Sequence, residues 1–265
     1  MQSEQPFKLH YRIGSADADY RSQCRPSALL EHMQLAADRD LAGMGVTVSQ
    51  MLDQGLGWML LTTDVTIIRP AQLEEEVSLQ TWHKENKGVT WLRDYILTDR
   101  EGTHLAVART AWALVDLKKR RVVRPSALPF EVKSHPDVSL GEPPAKVTVP
   151  SELNLQEQYR LTVQYSSTDS NGHMNNARYA DVCCDALTQD ELAAGIIRLQ
   201  ISYHREIRMQ EQMIVERSAV TDGAVWVRGR LVEENESVIF EAKLSLGILP
   251  LRPVTNQIIK LNTNK

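Results

Sequence analysis

Hydrophobic and polar positions along this 265-residue chain alternate between two periods, one near 3.6 and one near 2. After a short strand-like segment, Leu9 to Ile13, the stretch RPSALLEHMQLAADRDLAGMG sets Leu29, Leu30, Met33, Ala36, Ala37 and Leu41 at helical spacing. Pro26 stands where a first-turn proline is tolerated, and Gly43 and Gly45 end the predicted helix. Strands are predicted over Trp58 to Ile68, Val77 to His83, Val89 to Thr98 and Leu105 to Asp116, separated by the turn-like KENKG and DREG.

Periodicity then stops. From about Pro125 to Pro150 the chain is rich in proline and polar residues and is read as a linker. The same order of elements then begins again: a strand at Tyr159 to Tyr165, a helix from about Asn176 to Ala193, and strands at Ile197 to His204, Gln212 to Thr221, Ala224 to Glu233 and Val238 to Leu249. In the last of these Phe240, Ala242, Leu244, Leu246 and Ile248 share one face, while Glu241, Lys243 and Ser245 share the other.

Two stretches, VTIIRPAQLEEEVSL and ISYHREIRMQEQMIV, repeat the order strand, Arg, polar turn, acidic residues, strand, which implies an internal duplication. The expected class is α+β, with a long helix packed on an antiparallel sheet, twice over. The divisions are residues 1–130, a linker at 131–150, and residues 151–265.

Composition narrows the function. A chain with 42% hydrophobic and 24% charged residues is ordinary for a globular protein, and a net charge of −4 speaks against a general nucleic-acid binder. The N-terminal residues carry no basic segment followed by an apolar one, and no apolar run reaches the roughly 18 residues that suggest a membrane span. The expectation is a soluble, cytoplasmic protein without membrane attachment. Cys24, Cys183 and Cys184 are too few for a disulfide framework and are expected as reduced, mostly buried thiols.

Candidate chemistry concentrates in YSSTDSNGHMNNARYADVCCDAL, residues 165–187. A metal site would need a second ligand at helical spacing on a helix with His173; His173 and Asp169 both precede the predicted helix, and no H-x-x-x-H or C-x-x-C is present. A cysteine nucleophile would use Cys183 or Cys184 with His173 as base. Both thiols lie well inside the predicted helix while His173 precedes it. The third reading uses the helix entrance: Asp169, Asn171 and His173 fall at alternate positions, so an extended backbone would point all three one way. Asn175 and Asn176 would then cap a helix start whose free N–H groups suit an oxyanion. A plain turn followed by a cap explains the same residues without chemistry.

The string TDSNGHMNNARYADV, with its D-x-x-x-H-x-N-N-x-x-Y spacing, resembles the signature of hotdog-fold thioesterases. Its Asp-x-Asn-x-His-x-Asn-Asn core looks like the acyl-acyl-carrier-protein thioesterases of the plant FatA/FatB and bacterial type. LLEHMQLAADRDLAGMG is similar to the first helix of that family, WMLLTTDVTIIRPAQLEEEVSLQTW to the strands after it, ARTAWALVDLKKRRVVRPSALP to the end of its first half, and ISYHREI to its Tyr-x-Arg-Glu segment.

The resemblance implies two tandem hotdog folds and hydrolysis of fatty acyl thioesters on acyl carrier protein, with no cofactor and no metal. Asp169, Asn171 and His173 would be catalytic, with Glu206 completing the set. Many plant members carry Cys after that Glu, once favoured as nucleophile; here the position is Ile207. Glu206 would serve as general base, with Asp169 and Asn171 positioning His173, and backbone N–H groups near Asn175 and Asn176 would polarise the carbonyl. The first half keeps Asp17 and Asp19 but lacks the His and the Asn pair, so one site per chain is expected. Met33, Trp58, Met59 and Met174 are candidate acyl-pocket residues, although side chains of this kind are more often plain core.

Lys118, Lys119, Arg120, Arg121 and Arg124 form the densest basic run, suited to steering an acidic carrier protein and equally to a solvated turn. Arg205 is expected to mirror Arg69. A coenzyme A thioesterase and an idle acyl-binding protein of the same fold are the alternatives, and the assembly is expected to be a monomer or homodimer.

Overall fold

A computed structural model of the protein describes residues 5–232 and 237–247. The first series of elements is strand β1 (Phe7–Arg12), helices α1 (Pro26–Gly43) and α2 (Val48–Asp53), and strands β2 (Leu56–Ile67), β3 (Glu76–Lys87), β4 (Thr90–Thr98), β5 (His104–Asp116) and β6 (Arg121–Val122). The second is β7 (Gln156–Thr162), α3 (Arg178–Asp185), α4 (Gln189–Ala194), β8 (Ile196–Tyr203), β9 (Gln212–Arg217), β10 (Ala224–Leu231) and β11 (Val238–Leu246). Strand, helix, then antiparallel strands occur twice, as the duplication in the sequence implies.

Several boundaries differ from the sequence reading. The helix expected over residues 176–193 is two helices, because Thr188 accepts a hydrogen bond from the Glu191 N–H while the Glu191 carboxylate accepts from the Thr188 N–H. This capping box starts α4 afresh and outweighs the apolar periodicity that joined the segments. The strand expected to reach Tyr165 stops at Thr162, and a 3₁₀ turn occupies Tyr165–Ser167. Helix α2 was not foreseen, although Thr47 and Gln50 form a capping box there too. Glu233, Ile248 and Leu249, expected in strands, lie outside the described residues.

Of the described residues, 5–61 and 68–144 make one compact unit, and 62–67 with 145–247 make the other. In the first, the sheet runs β1-β3-β4-β5-β2, with β6 paired to β5. Helix α1 packs on β1 and β3. It buries Leu29, Leu30, Met33, Ala36 and Ala37 at the foreseen spacing. One turn further on, the buried position is Asp40, and Arg93 on β4 meets it: Arg93 Nη1 donates to Asp40 Oδ2 at 2.7 Å and to Thr81 Oγ1 at 3.2 Å. Both charged side chains are less than 10% exposed, so each depends on the other for solvation it has lost.

In the second unit, residues Thr62 to Thr66 of β2 pair with Ser202 to Arg198 of β8, and the order continues β8-β11-β10-β9-β7. Phe240, Ala242 and Leu244 of β11 are fully buried, as the alternation requires. Glu241 on the opposite face is buried as well, because it accepts from the Val149 N–H and pairs with His204.

Residues 128–150 form no regular element, yet they are held to each unit by side chains. Trp82 Nε1 donates to the Val138 carbonyl, Lys84 Nζ to that of Gly141, and Arg109 Nη1 to that of Glu142, at 2.9, 2.9 and 2.8 Å. In the second unit the Val147 N–H donates to Ser202 Oγ at 2.7 Å. Bonds of this kind satisfy a backbone that has no ladder of its own.

Candidate active site

The candidate residues of the second unit lie on two loops that hydrogen-bond to each other. Residues 169–173 form a tight turn, and the extended backbone expected there is absent: the Asp169 N–H donates to the His173 carbonyl at 2.9 Å and the Gly172 N–H to the Asp169 carbonyl at 3.0 Å. Gly172 has φ +77°, a left-handed conformation that suits glycine. Asp169 holds the turn from inside, since its Oδ1 accepts the Asn171 N–H at 2.8 Å. The same carboxylate lies 3.5 Å from Asn171 Nδ2.

After the turn the chain pairs with the loop following β8. The Met174 N–H donates to the Ile207 carbonyl at 2.8 Å, and His173 bridges Arg208 in antiparallel fashion. This pairing brings His173 Nε2 to 3.4 Å from Glu206 Oε2. The imidazole is mostly enclosed at 20% exposure while the carboxylate stays half open at 53%. A base that water can reach thus stands beside a ring that can donate or take a proton.

Asn175 and Asn176 do not cap the helix as expected. The N-cap position is Ala177, and Asn175 acts two residues earlier, its Oδ1 accepting the Ala177 N–H at 2.8 Å. The Asn175 N–H itself is committed to the Ser167 carbonyl, whereas that of Asn176 makes no hydrogen bond among the described residues. The Asn176 carbonyl accepts the Tyr203 hydroxyl at 3.3 Å, tying the helix entrance to β8.

Tyr203 and Tyr179 received no role in the sequence reading, although Tyr179 closes the quoted motif. Tyr179 is 2% exposed and meets Tyr203 and Phe240 edge-on, with ring centroids 5.3 and 5.2 Å apart. Its phenol is driven to a high pKa by burial first, then by Tyr203, then by the nearby carboxylates of Glu206 and Asp169. Cys183 is fully buried, and burial raises its thiol well above the ordinary value. A nucleophile needs the thiolate, so this cysteine is unsuited to the task.

The first unit repeats the scaffold bond for bond. The Asp19 N–H donates to the Gln23 carbonyl, the Ser22 N–H to that of Asp19, and the Cys24 N–H to that of Ala71, at 2.7, 3.0 and 2.8 Å. Asp19 Oδ1 accepts the Arg21 N–H at 2.8 Å, as Asp169 does from Asn171. Arg21, Gln23 and Pro70 thereby occupy the places of Asn171, His173 and Glu206, and Arg21 pairs with Asp19 at 2.9 Å. Arg69 and Arg205 also correspond: their N–H groups donate to Leu105 and Ile239, both at 3.1 Å.

Met33 is buried and Trp58 and Met59 are half-buried, all in the first unit; Met174 is buried in the second. Lys118, Lys119, Arg120, Arg121 and Arg124 are all exposed. Among the described residues no three His, Cys, Asp or Glu side chains gather as metal ligands would, and no helix is long and apolar enough to cross a membrane.

Two helix-on-sheet units, the second carrying the His173–Glu206 loop pair, define a double-hotdog protein. The chain belongs to the acyl-ACP thioesterase family: the family's N-terminal domain matches residues 4–127 and its C-terminal domain residues 151–245.

Among curated relatives, the chloroplastic acyl-[acyl-carrier-protein] hydrolase FATB3 of Cuphea viscosissima is 25% identical over 178 residues, 63% of this chain and 42% of that protein. The chloroplastic palmitoyl-acyl carrier protein thioesterase of Gossypium hirsutum is 23% identical over 219 residues, 76% of this chain and 52% of that protein. The chain thus spans about half the length of the curated relatives it matches. Two solved structures share the fold at 18% identity, each with 90% of this chain and 96% of the other aligned: an acyl-ACP thioesterase from Bacteroides thetaiotaomicron, TM-score 0.76, and the 12:0-ACP thioesterase from Umbellularia californica, TM-score 0.72.

Proposed function

We propose that the chain hydrolyses the thioester of fatty acyl-acyl carrier protein, releasing free fatty acid and ending chain elongation. The observation that carries this reading is the approach of His173 to Glu206 across the paired loops. Family membership supplies the substrate class, and both halves of the family's domain pair are matched.

Glu206 takes a proton from a water molecule as its oxygen attacks the thioester carbonyl carbon. The Asn176 N–H, which makes no hydrogen bond among the described residues, stabilises the oxygen as it gains charge. The carbon–sulfur bond then breaks, His173 passes a proton to the departing thiolate, and the proton that Glu206 took from water moves to His173, restoring both groups. Asp169 and Asn171 act indirectly, fixing the turn that presents His173. The exposed run Lys118, Lys119, Arg120, Arg121 and Arg124 steers the acidic carrier protein. Met174, buried in the unit that carries the reaction, is assigned to contact with the acyl chain.

The test is thiol release from carrier proteins loaded with C8 to C18 acyl chains, run beside the same acyl groups on coenzyme A. Turnover on the carrier supports the proposal. Turnover confined to coenzyme A would reassign the substrate, and acyl binding without turnover on either would replace hydrolysis with carriage.

A further inference from the structure

We propose that the end of the first unit formed by α2 and the β5–β6 turn is a composite docking platform for acyl carrier protein, with aliphatic anchors inside a cationic rim. The proposal rests on the thioesterase reading and deepens it by giving the partner a surface.

The platform is a built structure. Helix α2 is fixed at its start by the Thr47–Gln50 capping box and from below by Met51, which is 3% exposed in a core with Val46, Leu56, Trp91, Leu114 and Leu128. With Met51 inward, Val48 and Leu52, one helical turn apart, point outward at 54% and 50% exposure. The Leu117 N–H donates to the Gly55 carbonyl at 2.9 Å, stitching the end of α2 to the β5–β6 turn. Leu117 and Val122 add 44% and 42% exposed aliphatic surface there.

The turn itself is rigid, because Asp116 Oδ1 accepts the N–H groups of Lys118 and Lys119 at 3.1 and 2.9 Å. Residues 118–121 are all exposed. Lys119 lies 3.6 Å from Asp116, whereas Lys118, Arg120, Arg121 and Arg124 form no ion pair among the described residues.

Single exposed aliphatic residues need no explanation, but four on two segments joined by a backbone hydrogen bond, one of which carries a concentration of positive charge, do. The chain as a whole is acidic, at −4, so this end departs from its own background. Such a surface fits a partner that is acidic with an apolar centre: the cations draw it in, and the aliphatic anchors hold it. A membrane surface would favour exposed aromatic anchors, and among the described residues the exposed aromatics, Tyr20 and Tyr165, lie elsewhere in the sequence.

The experiment titrates holo acyl carrier protein, without an acyl group, into wild type, Leu52→Gln, Lys118→Glu and Arg124→Glu, and so reads the platform independently of turnover. Each variant is expected to bind about tenfold more weakly or worse. In turnover, the ratio of kcat/KM for acyl carrier protein to that for the same acyl group on N-acetylcysteamine falls to match. Carrier affinity equal to wild type in all three variants overturns the platform. Loss of anionic-vesicle binding with carrier binding intact overturns it too, and gives the surface to a membrane. Wild type that binds carrier yet cleaves neither thioester would defeat the hydrolase reading while leaving the platform standing.

Discussion

His173 and Glu206 meet at 3.4 Å although 32 residues of sequence, two helices and a strand separate them. What joins them is backbone: the Met174 N–H to Ile207 bond sets the two loops in register, and the side chains follow. The site is therefore a property of loop pairing more than of either loop alone.

Removing the base tests the pair directly. Glu206→Gln keeps the shape and loses the proton acceptor, so kcat is expected to fall by about 10²- to 10⁴-fold. Thiol release measured beside circular dichroism separates lost chemistry from lost fold. A fall smaller than tenfold would remove Glu206 from the mechanism.

The cysteines give the opposite expectation. Cys183 is enclosed with its thiol protonated, so Cys183→Ala and Cys184→Ala should each retain most activity, with Cys183→Ala losing some stability through the space it leaves. Complete inactivation by either change, in a variant that still folds, would restore the nucleophile reading.

Tyr203→Phe removes the hydroxyl that reaches the Asn176 carbonyl at 3.3 Å while leaving the ring in place. A loss of about 0.5–1.5 kcal/mol in stability is expected for one neutral hydrogen bond. If the bond also positions the helix entrance, kcat drops more than KM rises; equal kcat in variant and wild type would confine Tyr203 to structure.

Acid stability depends on His83. Burial first, and the charge of Arg93 second, push its pKa down from 6.5 to about 4. Between those values the unfolded chain binds a proton that the folded chain refuses, so stability is full above about pH 6.5 and declines as pH falls toward 4. The loss amounts to about 3 kcal/mol. Melting temperatures over that window, compared with His83→Gln, should show a flatter curve for the variant.

The buried pair beneath α1 is the most sensitive core position. Arg93→Met leaves Asp40 enclosed without its partner, for an expected cost of about 3–5 kcal/mol. Urea midpoints measure it, and the double change Arg93→Met with Asp40→Leu should recover much of the loss.

Element order and the duplication were legible in the sequence because both rest on periodicity, which survives in a string. Strands β4, β5 and β8 were placed close to their observed positions for that reason, whereas β3 runs on to Lys87 through most of the expected KENKG turn. The break between α3 and α4 was hidden because Leu187 and Leu192 continue an apolar rhythm that the Thr188 cap interrupts. Asp40 and Arg93 could not be paired by eye, since nothing in a helix pattern announces which strand residue will sit beneath it.

At the site, the motif named Asp169, Asn171 and His173, the family resemblance added Glu206, and alternation suggested an extended backbone. Gly172 was the contrary signal: glycine inside that run marks the left-handed step of a turn. Tyr179 and Tyr203 were overlooked because aromatic residues on a helix and a strand read as core, and their orientation toward Glu206 and Asn176 exists only in three dimensions.

The repeated turn carries a stoichiometric consequence. Asp19 and Asp169 maintain the same hydrogen-bonded frame, yet Gln23 and Pro70 cannot perform the proton transfers proposed for His173 and Glu206. A covalent or tight-binding probe of the reaction should therefore saturate at one equivalent per 30.0 kDa chain, although the scaffold that presents the reacting groups occurs twice.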